Sequence, residues 1–182
     1  VAGGKYTTYR VMAKDAIDQV ARGLEQRVPE SCTDRTPLVG APGFQAFWNR
    51  RRALAEEMGL HTSQVEHLLG RYGARIEELI TLMSERPELA HPLEGASNYL
   101  AVEAFYAASH EGALHLEDVL TRRTRISIET LDRGLAAARP VASLMGEVLG
   151  WEEATRLREL AHYDARVAAE RESQEQPDDH TA

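Results

Sequence analysis

The sequence is poor in the residues that define disulfide-rich, thiolate-metal and membrane-spanning proteins. Its 182 residues include one cysteine, Cys32, so neither an internal disulfide nor a cysteine metal cluster can form. A lone cysteine is more often a small apolar packing residue than a nucleophile. No run approaches the ~20 apolar residues that a membrane helix needs, and the basic-then-apolar pattern of a signal peptide is missing.

Aromatic residues are scarce as well, and acidic residues outnumber basic ones, 29 against 21. Aromatic residues make up 6% of the chain and the net charge is -8, which makes the chain as a whole a poor binder of nucleic acid. Alanine, leucine, glutamate and arginine dominate instead, and these residues favour helices over sheet. We therefore predict an all-α fold, with no sheet of more than two short strands.

Apolar spacing and glycine or proline punctuation divide the chain into four parts. Residues 1–28 hold a glycine turn and a first helix, 29–43 form a linker with three prolines and two glycines, 44–173 form a helical domain, and 174–182 form a polar tail that we expect to be disordered. Helices are predicted over 9–24, 44–58, 62–73, 75–85, 98–110, 114–120, 128–149 (kinked at Pro140) and from 151 to about 171.

The most specific local feature is the segment Gly3-Gly4-Lys5-Tyr6-Thr7-Thr8. Two glycines allow the backbone to approach a flat or charged ligand closely. A threonine cap would then begin a helix whose first amide groups carry partial positive charge. The segment lacks the upstream glycine of a nucleotide P-loop. It predicts either a ligand-facing helix start or simply a glycine turn followed by a capped helix.

A second feature, over residues 53–72, offers a different function. A helix ends at Gly59, a short turn follows, and a second helix turns Val65 and Leu68 inward, as in a helix-turn-helix DNA-binding domain. Three arginines at 50–52 precede it. However, the second helix presents Glu66 and His67 rather than basic residues, and such corners are common in compact helical domains. DNA binding is therefore the alternative hypothesis.

Two further motifs have competing interpretations. His110 and His115 resemble the histidine pair of a zinc-protease motif, but they are five residues apart instead of four. Ligands five residues apart do not share a helix face, so this spacing argues against a metal site. The run of residues 122–125, Arg-Arg-Thr-Arg, lies beside Glu117 and Asp118. One interpretation is a docking patch that binds phosphate or a partner domain. The other is a set of ion pairs within the domain.

Three segments together resemble the C-terminal region of FAD-dependent glycerol-3-phosphate dehydrogenases and the related α-glycerophosphate oxidases. They are residues 3–18 (Gly-Gly-Lys-Tyr-Thr-Thr-Tyr-Arg and the helix after it), residues 99–113 (from Tyr99 to Glu-Gly-Ala) and residues 116–126 (Leu-Glu-Asp-Val-Leu-Thr-Arg-Arg-Thr-Arg-Ile). Each is of modest specificity alone, but their order and spacing extend along nearly the whole chain.

This resemblance implies a compact helical cap domain and an enzyme that oxidises glycerol 3-phosphate to dihydroxyacetone phosphate. In such enzymes FAD accepts the hydride and passes electrons to a membrane quinone, or to oxygen in the oxidases. By the resemblance, residues 1–28 are the end of the flavin domain, and Gly3, Gly4, Lys5, Thr7 and Thr8 form the cofactor-binding set. None of the residues is assigned a catalytic or metal-binding role.

The resemblance also sets expectations for partners and location. The expected partners are the protein's own N-terminal flavin domain, glycerol 3-phosphate and quinone, but not nucleic acid; a homodimer is a further hypothesis. The whole enzyme is expected in the cytoplasm, peripheral to the inner face of the plasma membrane. We interpret Val1 as an internal position of a longer protein, so this chain alone should be inactive and should not hold FAD.

Overall fold

A computed structural model describes residues 5–174 of the chain, and helices make up most of it. Gly3, Gly4 and the predicted tail beyond Gln174 lie outside these residues. The bounds are α1 Tyr9–Ala21, α2 Phe44–Met58, α3 Thr62–Tyr72, α4 Ile76–Glu85, β1 Pro92–Leu93, β2 Ala96–Leu100, α5 Ala101–His110, α6 Ile126–Glu129, α7 Leu135–Leu149 and α8 Glu153–Gln174. Short 3-10 turns cover Tyr6–Thr8, Gly73–Arg75 and Pro87–Ala90, and a π-helix covers Asp118–Arg123.

The two short strands form one antiparallel hairpin, the single sheet of the described part. The prediction of an essentially helical domain with at most two short strands is therefore confirmed. Within the same residues, no helix combines the length and the apolar character needed to cross a bilayer.

Local sequence signals account for the bounds of α2 and α3. Gly59 ends α2 in the left-handed conformation, with φ of 65°, which costs little because glycine has no Cβ. His61 then caps α3: its Nδ1 accepts a hydrogen bond from the Ser63 amide at 3.3 Å, while the Gln64 side chain accepts one from the His61 amide at 2.9 Å. This reciprocal pair is a capping box.

The core consists of two adjoining clusters of buried side chains, and α5 contributes to both. Ala104 and Ala107 pack into the cluster shared with α7 and α8. Val102 and Tyr106 pack into the cluster shared with α2, α3 and α4. A helix that is apolar on more than one side has to be buried, so the sequence pattern of this segment correctly predicted a central helix.

The structure corrects three of the predicted helices. The helix predicted from residue 98 begins at Ala101, because residues 96–100 form β2. The helix predicted over 114–120 is replaced by a turn and the π-helix, since the Asp118 carboxylate accepts the amides of Leu114 and His115 at 3.1 and 3.0 Å. The helix predicted over 128–149 is divided into α6 and α7.

The division between α6 and α7 has a local cause. Gly134 has φ of 81°, and a Cβ there would lie 2.8 Å from the Ile126 side chain. The Asp132 carboxylate accepts the amides of Gly134 and Ala136 at 3.0 and 2.8 Å and so stabilises a new helix start. Pro140 lies inside α7, which nevertheless remains one helix.

The linker contacts the turn between α3 and α4 through a close backbone approach at two glycines. The Ala74 amide donates to the Gly40 carbonyl at 2.8 Å. Gly73 has φ of 59°, and a Cβ on it would overlap the Gly40 carbonyl oxygen. The two backbones can cross this closely only because both positions are glycine.

Candidate functional site

The predicted ligand-facing segment lies at the exposed start of α1. Lys5, Thr7 and Thr8 are all exposed. The chain enters the helix through the 3-10 turn at Tyr6–Thr8, so Thr7 and Thr8 lie in that turn and Lys5 is the extended residue that precedes it. Gly3 and Gly4 belong to the same predicted set, and their contact with a ligand stays a prediction.

The predicted threonine cap is not formed. Thr8 is the residue preceding α1, but its side chain accepts no capping hydrogen bond. Its hydroxyl instead donates to the Lys5 carbonyl at 3.0 Å. The preceding 3-10 turn explains the difference, because the Thr8 amide already donates to the same carbonyl and the chain is helical before α1 begins.

The electrostatics at this helix start favour a negatively charged ligand group. Neither the 3-10 turn nor α1 has an acidic residue in its first turn. The first amides of a helix carry partial positive charge, and the exposed Lys5 adds a full one. An anionic or electron-accepting edge placed here would therefore be stabilised.

Arg10, in the first turn of α1, joins this helix to the linker. Its Nε donates to the Thr33 hydroxyl at 3.1 Å. A terminal guanidinium nitrogen also donates to the carbonyls of Thr33 and Thr36. The helix start is thus held against a turn that lies 23 residues further along the chain.

The α1 helix carries an apolar stripe, on which Tyr9, Ile17 and Val20 lie, and this stripe is uncovered. Alpha-helix α1 contains no buried residue. Of the thirteen large apolar residues that the described part exposes, nine lie between residues 6 and 39: Tyr6, Tyr9, Val11, Ile17, Val20, Leu24, Val28, Leu38 and Val39. Single exposed apolar residues are ordinary, whereas a concentration of this kind marks an interaction surface.

The corner considered as a helix-turn-helix is part of the core. Val65 and Leu68 are buried as predicted, but the polar residues of the second helix turn toward the protein. Glu66 pairs with Arg51 at 2.6 Å, and His67 donates to or accepts from the buried Glu103 at 3.0 Å. Because these polar side chains already have partners inside the protein, they are not available to contact base edges in DNA. Nothing in the structure supports the DNA-binding alternative.

The two histidines of the zinc-like motif have separate partners. The His110 ring stacks on Tyr106, with centroids 4.5 Å apart. His115 Nδ1 lies 3.0 Å from a Glu159 oxygen on α8. Within residues 5–174, no cluster of three or more metal-ligating side chains has the geometry of a metal site.

The arginines of residues 122–125 are bound within the domain. Arg122 pairs with Glu117 at 2.7 Å and with Asp118 at 3.1 Å. Arg123 donates twice to the Glu111 carbonyl, at 3.1 and 2.9 Å. Of the two interpretations of this motif, the structure favours ion pairs and hydrogen bonds inside the domain.

The sequence reasoning missed a buried polar network centred on Glu103. This carboxylate is 0% exposed and accepts the Leu100 amide at 3.0 Å and the Tyr72 hydroxyl at 3.3 Å. Its other neighbours are His67 Nε2 at 3.0 Å and Arg71 Nε at 3.8 Å. A buried charge needs such partners to be tolerated.

Tyr72 of this network and Tyr99, whose ring contacts His67, are both held in their neutral form. Burial, followed by the charge of Glu103, raises the pKa of Tyr72. Burial and the hydrogen bond that its hydroxyl donates to Glu129 raise the pKa of Tyr99 to about 12. Both hydroxyls therefore remain donors, and the network joins α3, β2 and α5 rather than forming a reactive centre.

Comparison with known proteins identifies the class to which this helical domain belongs. The family model for the C-terminal domain of alpha-glycerophosphate oxidase matches residues 31–156. The chain therefore belongs to this family, and the resemblance inferred from three sequence segments is confirmed. No solved structure matches the chain.

The similar curated proteins are glycerol-3-phosphate dehydrogenases. One from Mycobacterium leprae is 52% identical over 182 residues, and glycerol-3-phosphate dehydrogenase 2 of Mycobacterium tuberculosis is 50% identical over the same length. Both matches cover 100% of this chain and 31% of the relative. A glycerol-3-phosphate dehydrogenase of Synechocystis is 29% identical over 153 residues, which is 83% of this chain and 27% of the relative. The chain thus spans about a third of the length of these relatives.

Proposed function

We propose that this chain is the C-terminal part of an FAD-dependent glycerol-3-phosphate dehydrogenase, which oxidises sn-glycerol 3-phosphate to dihydroxyacetone phosphate. The observation that carries the proposal is 52% identity, along 100% of this chain, to a protein named glycerol-3-phosphate dehydrogenase. The uncovered apolar stripe of α1 supports it independently, because it calls for a further protein surface. That surface is the enzyme's own N-terminal flavin domain.

The start of α1 fits the edge of a flavin. A reduced flavin gains negative charge, and this helix start has an exposed lysine and no acidic residue in its first turn. Gly3, Gly4, Lys5, Thr7 and Thr8 would line that edge, with the glycines allowing close approach of the backbone. FAD, when bound, supplies the hydride acceptor, whereas these residues position and stabilise it.

The isolated chain should neither hold FAD tightly nor oxidise glycerol 3-phosphate. Tight flavin binding requires a dinucleotide fold, with a glycine-rich turn for the pyrophosphate and an acidic residue for the ribose. Residues 1–28 provide only the proposed edge contact. A helix N-terminus at an exposed surface contributes only about 0.3–1 kcal/mol toward a negative charge.

Flavin titration tests whether the isolated chain binds FAD or oxidises glycerol 3-phosphate. FAD is added to the 182-residue chain while flavin fluorescence is followed, and dye reduction is then assayed with glycerol 3-phosphate. We expect no binding in the micromolar range and no substrate-dependent reduction. Micromolar binding, or any such reduction, would show that the chain contains more of the catalytic machinery than we propose.

The complementary experiment uses the full-length enzyme. Lys5→Ala and Gly4→Val should slow flavin reduction, the first by removing a positive charge and the second by preventing close approach. Lys14→Ala is the matched control, because Lys14 is also exposed but lies further along α1. Equal effects of Lys5→Ala and Lys14→Ala would argue against a flavin contact at Lys5.

The proposal extends to the electron acceptor and the location of the whole enzyme. By family resemblance, electrons leave FAD for a membrane quinone, and the enzyme is peripheral to the inner face of the plasma membrane. Quinone reduction measured beside oxygen consumption distinguishes the two acceptors. Sedimentation of the full-length enzyme with lipid vesicles tests the location, and analytical ultracentrifugation tests the homodimer hypothesis.

A further inference from the structure

Arg10 makes the hydrogen bonds that connect α1 to a later part of the chain. Within residues 5–174, the other side-chain hydrogen bonds of this region stay local: the Thr8 hydroxyl donates to the Lys5 carbonyl and Arg22 donates to Gln19. No residue of α1 is buried. The orientation of the helix relative to the linker therefore depends strongly on the Arg10 guanidinium.

The turn that receives Arg10 is closed by its own hydrogen bonds. The amides of Arg35 and Thr36 both donate to the Cys32 carbonyl, at 2.9 and 3.1 Å, and the Thr36 hydroxyl donates to it at 3.0 Å. This leaves the carbonyls of Thr33 and Thr36 as acceptors for Arg10. A preorganised turn presents these acceptors at fixed positions.

The geometry of the contact suits arginine and not lysine. Three acceptors, namely the Thr33 hydroxyl and the carbonyls of Thr33 and Thr36, are bound by one planar group. A guanidinium has five N–H donors in a rigid fork, whereas an ammonium is a point charge on a flexible stem. Lysine at this position could keep the charge but not the three directed hydrogen bonds.

We propose that Arg10 is a positioning residue for flavin chemistry: by binding the 32–36 turn, it fixes the start of α1, and hence Lys5, Thr7 and Thr8, relative to the flavin. The inference rests on the proposed function, because it presumes that this segment faces FAD. Arg10 lies only two residues beyond Thr8, so a rotation of the helix at this contact moves the flavin-facing turn directly. Small displacements of positioning groups have large effects on bound cofactors and substrates.

The test compares variants of the full-length enzyme by measures other than turnover. For Arg10→Gln we expect roughly tenfold weaker FAD retention, since hydrogen bonds to a charged group are lost, together with a shifted flavin midpoint potential. Hydrogen exchange should rise in residues 29–36. Arg10→Lys should restore part of the affinity. Arg22→Gln, at the residue that follows α1, is the control: within residues 5–174 its side chain hydrogen-bonds to Gln19, and the variant should match the wild-type enzyme.

Parallel measurement of Lys5→Ala separates this inference from the proposed function. If Arg10→Gln raises hydrogen exchange but leaves FAD affinity and potential unchanged, while Lys5→Ala alters them, Arg10 is only structural and the inference is overturned. If neither variant alters the flavin, the placement of the segment at FAD fails and the inference fails with it.

A milder variant covers the case in which Arg10→Gln does not fold. Thr33→Val removes one acceptor and leaves both carbonyls in place. It should weaken FAD retention about two- to threefold, in line with the loss of one hydrogen bond. A wild-type value for this variant would overturn the inference.

Discussion

Replacing Glu103 by leucine tests whether the buried polar network stabilises this domain. Leucine has a similar size, so the change mainly removes the charge and the acceptors. The Leu100 amide then loses its partner at 3.0 Å, and the Tyr72 hydroxyl and the His67 ring lose theirs at 3.3 and 3.0 Å. Arg71 loses the nearest counter-charge, at 3.8 Å.

The expected loss of stability is large, because one member of a buried network disappears while the others remain. Breaking a buried ion pair by removing one partner destabilises a protein by about 3–5 kcal/mol. For a chain of this size, each kcal/mol lowers the melting temperature by roughly 2–4 °C. We therefore expect Glu103→Leu to melt about 6–20 °C below the wild-type chain.

Urea unfolding followed by circular dichroism measures this difference directly. The control is Glu77→Leu on α4, which is exposed and should change stability by less than about 1 kcal/mol, the contribution of a carboxylate near a helix N-terminus. Glu103→Gln should fall between the two, because its amide oxygen can still accept the Leu100 amide. The reasoning is refuted if Glu103→Leu unfolds within about 1 kcal/mol of the wild-type chain.

Three further predictions concern the linker, pH and the arginine segment. Gly73→Ala should destabilise the chain by at least about 1–3 kcal/mol, since its φ is 59° and a Cβ meets the Gly40 carbonyl; a wild-type urea midpoint would contradict this. The hydrogen bond to Glu159 and its charge raise the pKa of His115 above 6.5, so this contact should stabilise the fold fully below pH 6.5 and progressively less as pH rises through the folded-state pKa. His115→Ala should abolish that part of the pH dependence in unfolding measurements. In the full-length enzyme, Arg123→Ala should lower the melting temperature, because Arg123 binds the Glu111 carbonyl, and leave the substrate Michaelis constant nearly unchanged; a large rise in that constant at unchanged stability would indicate a phosphate-binding role.

Local rules were sufficient for most of the helices and for the family. The predicted bounds of α2, at Phe44 and Met58, agree with the structure, because glycine on either side ends a helix by a backbone preference that depends on few neighbours. The order of three short segments was likewise enough to indicate the family that the comparison then established. The cofactor contacts of Gly3, Gly4, Lys5, Thr7 and Thr8 stay predictions.

Wherever the outcome depended on residues distant in sequence, only the tertiary structure decided it. Glu103 lies 36 residues from His67 and 31 from Tyr72, so an acidic residue in an apolar helix gave no sign of its partners. Arg10 reaches a turn 23 residues away. Helix ends follow from backbone preferences within a few residues, whereas a buried charge is tolerated only where folding brings its partners together.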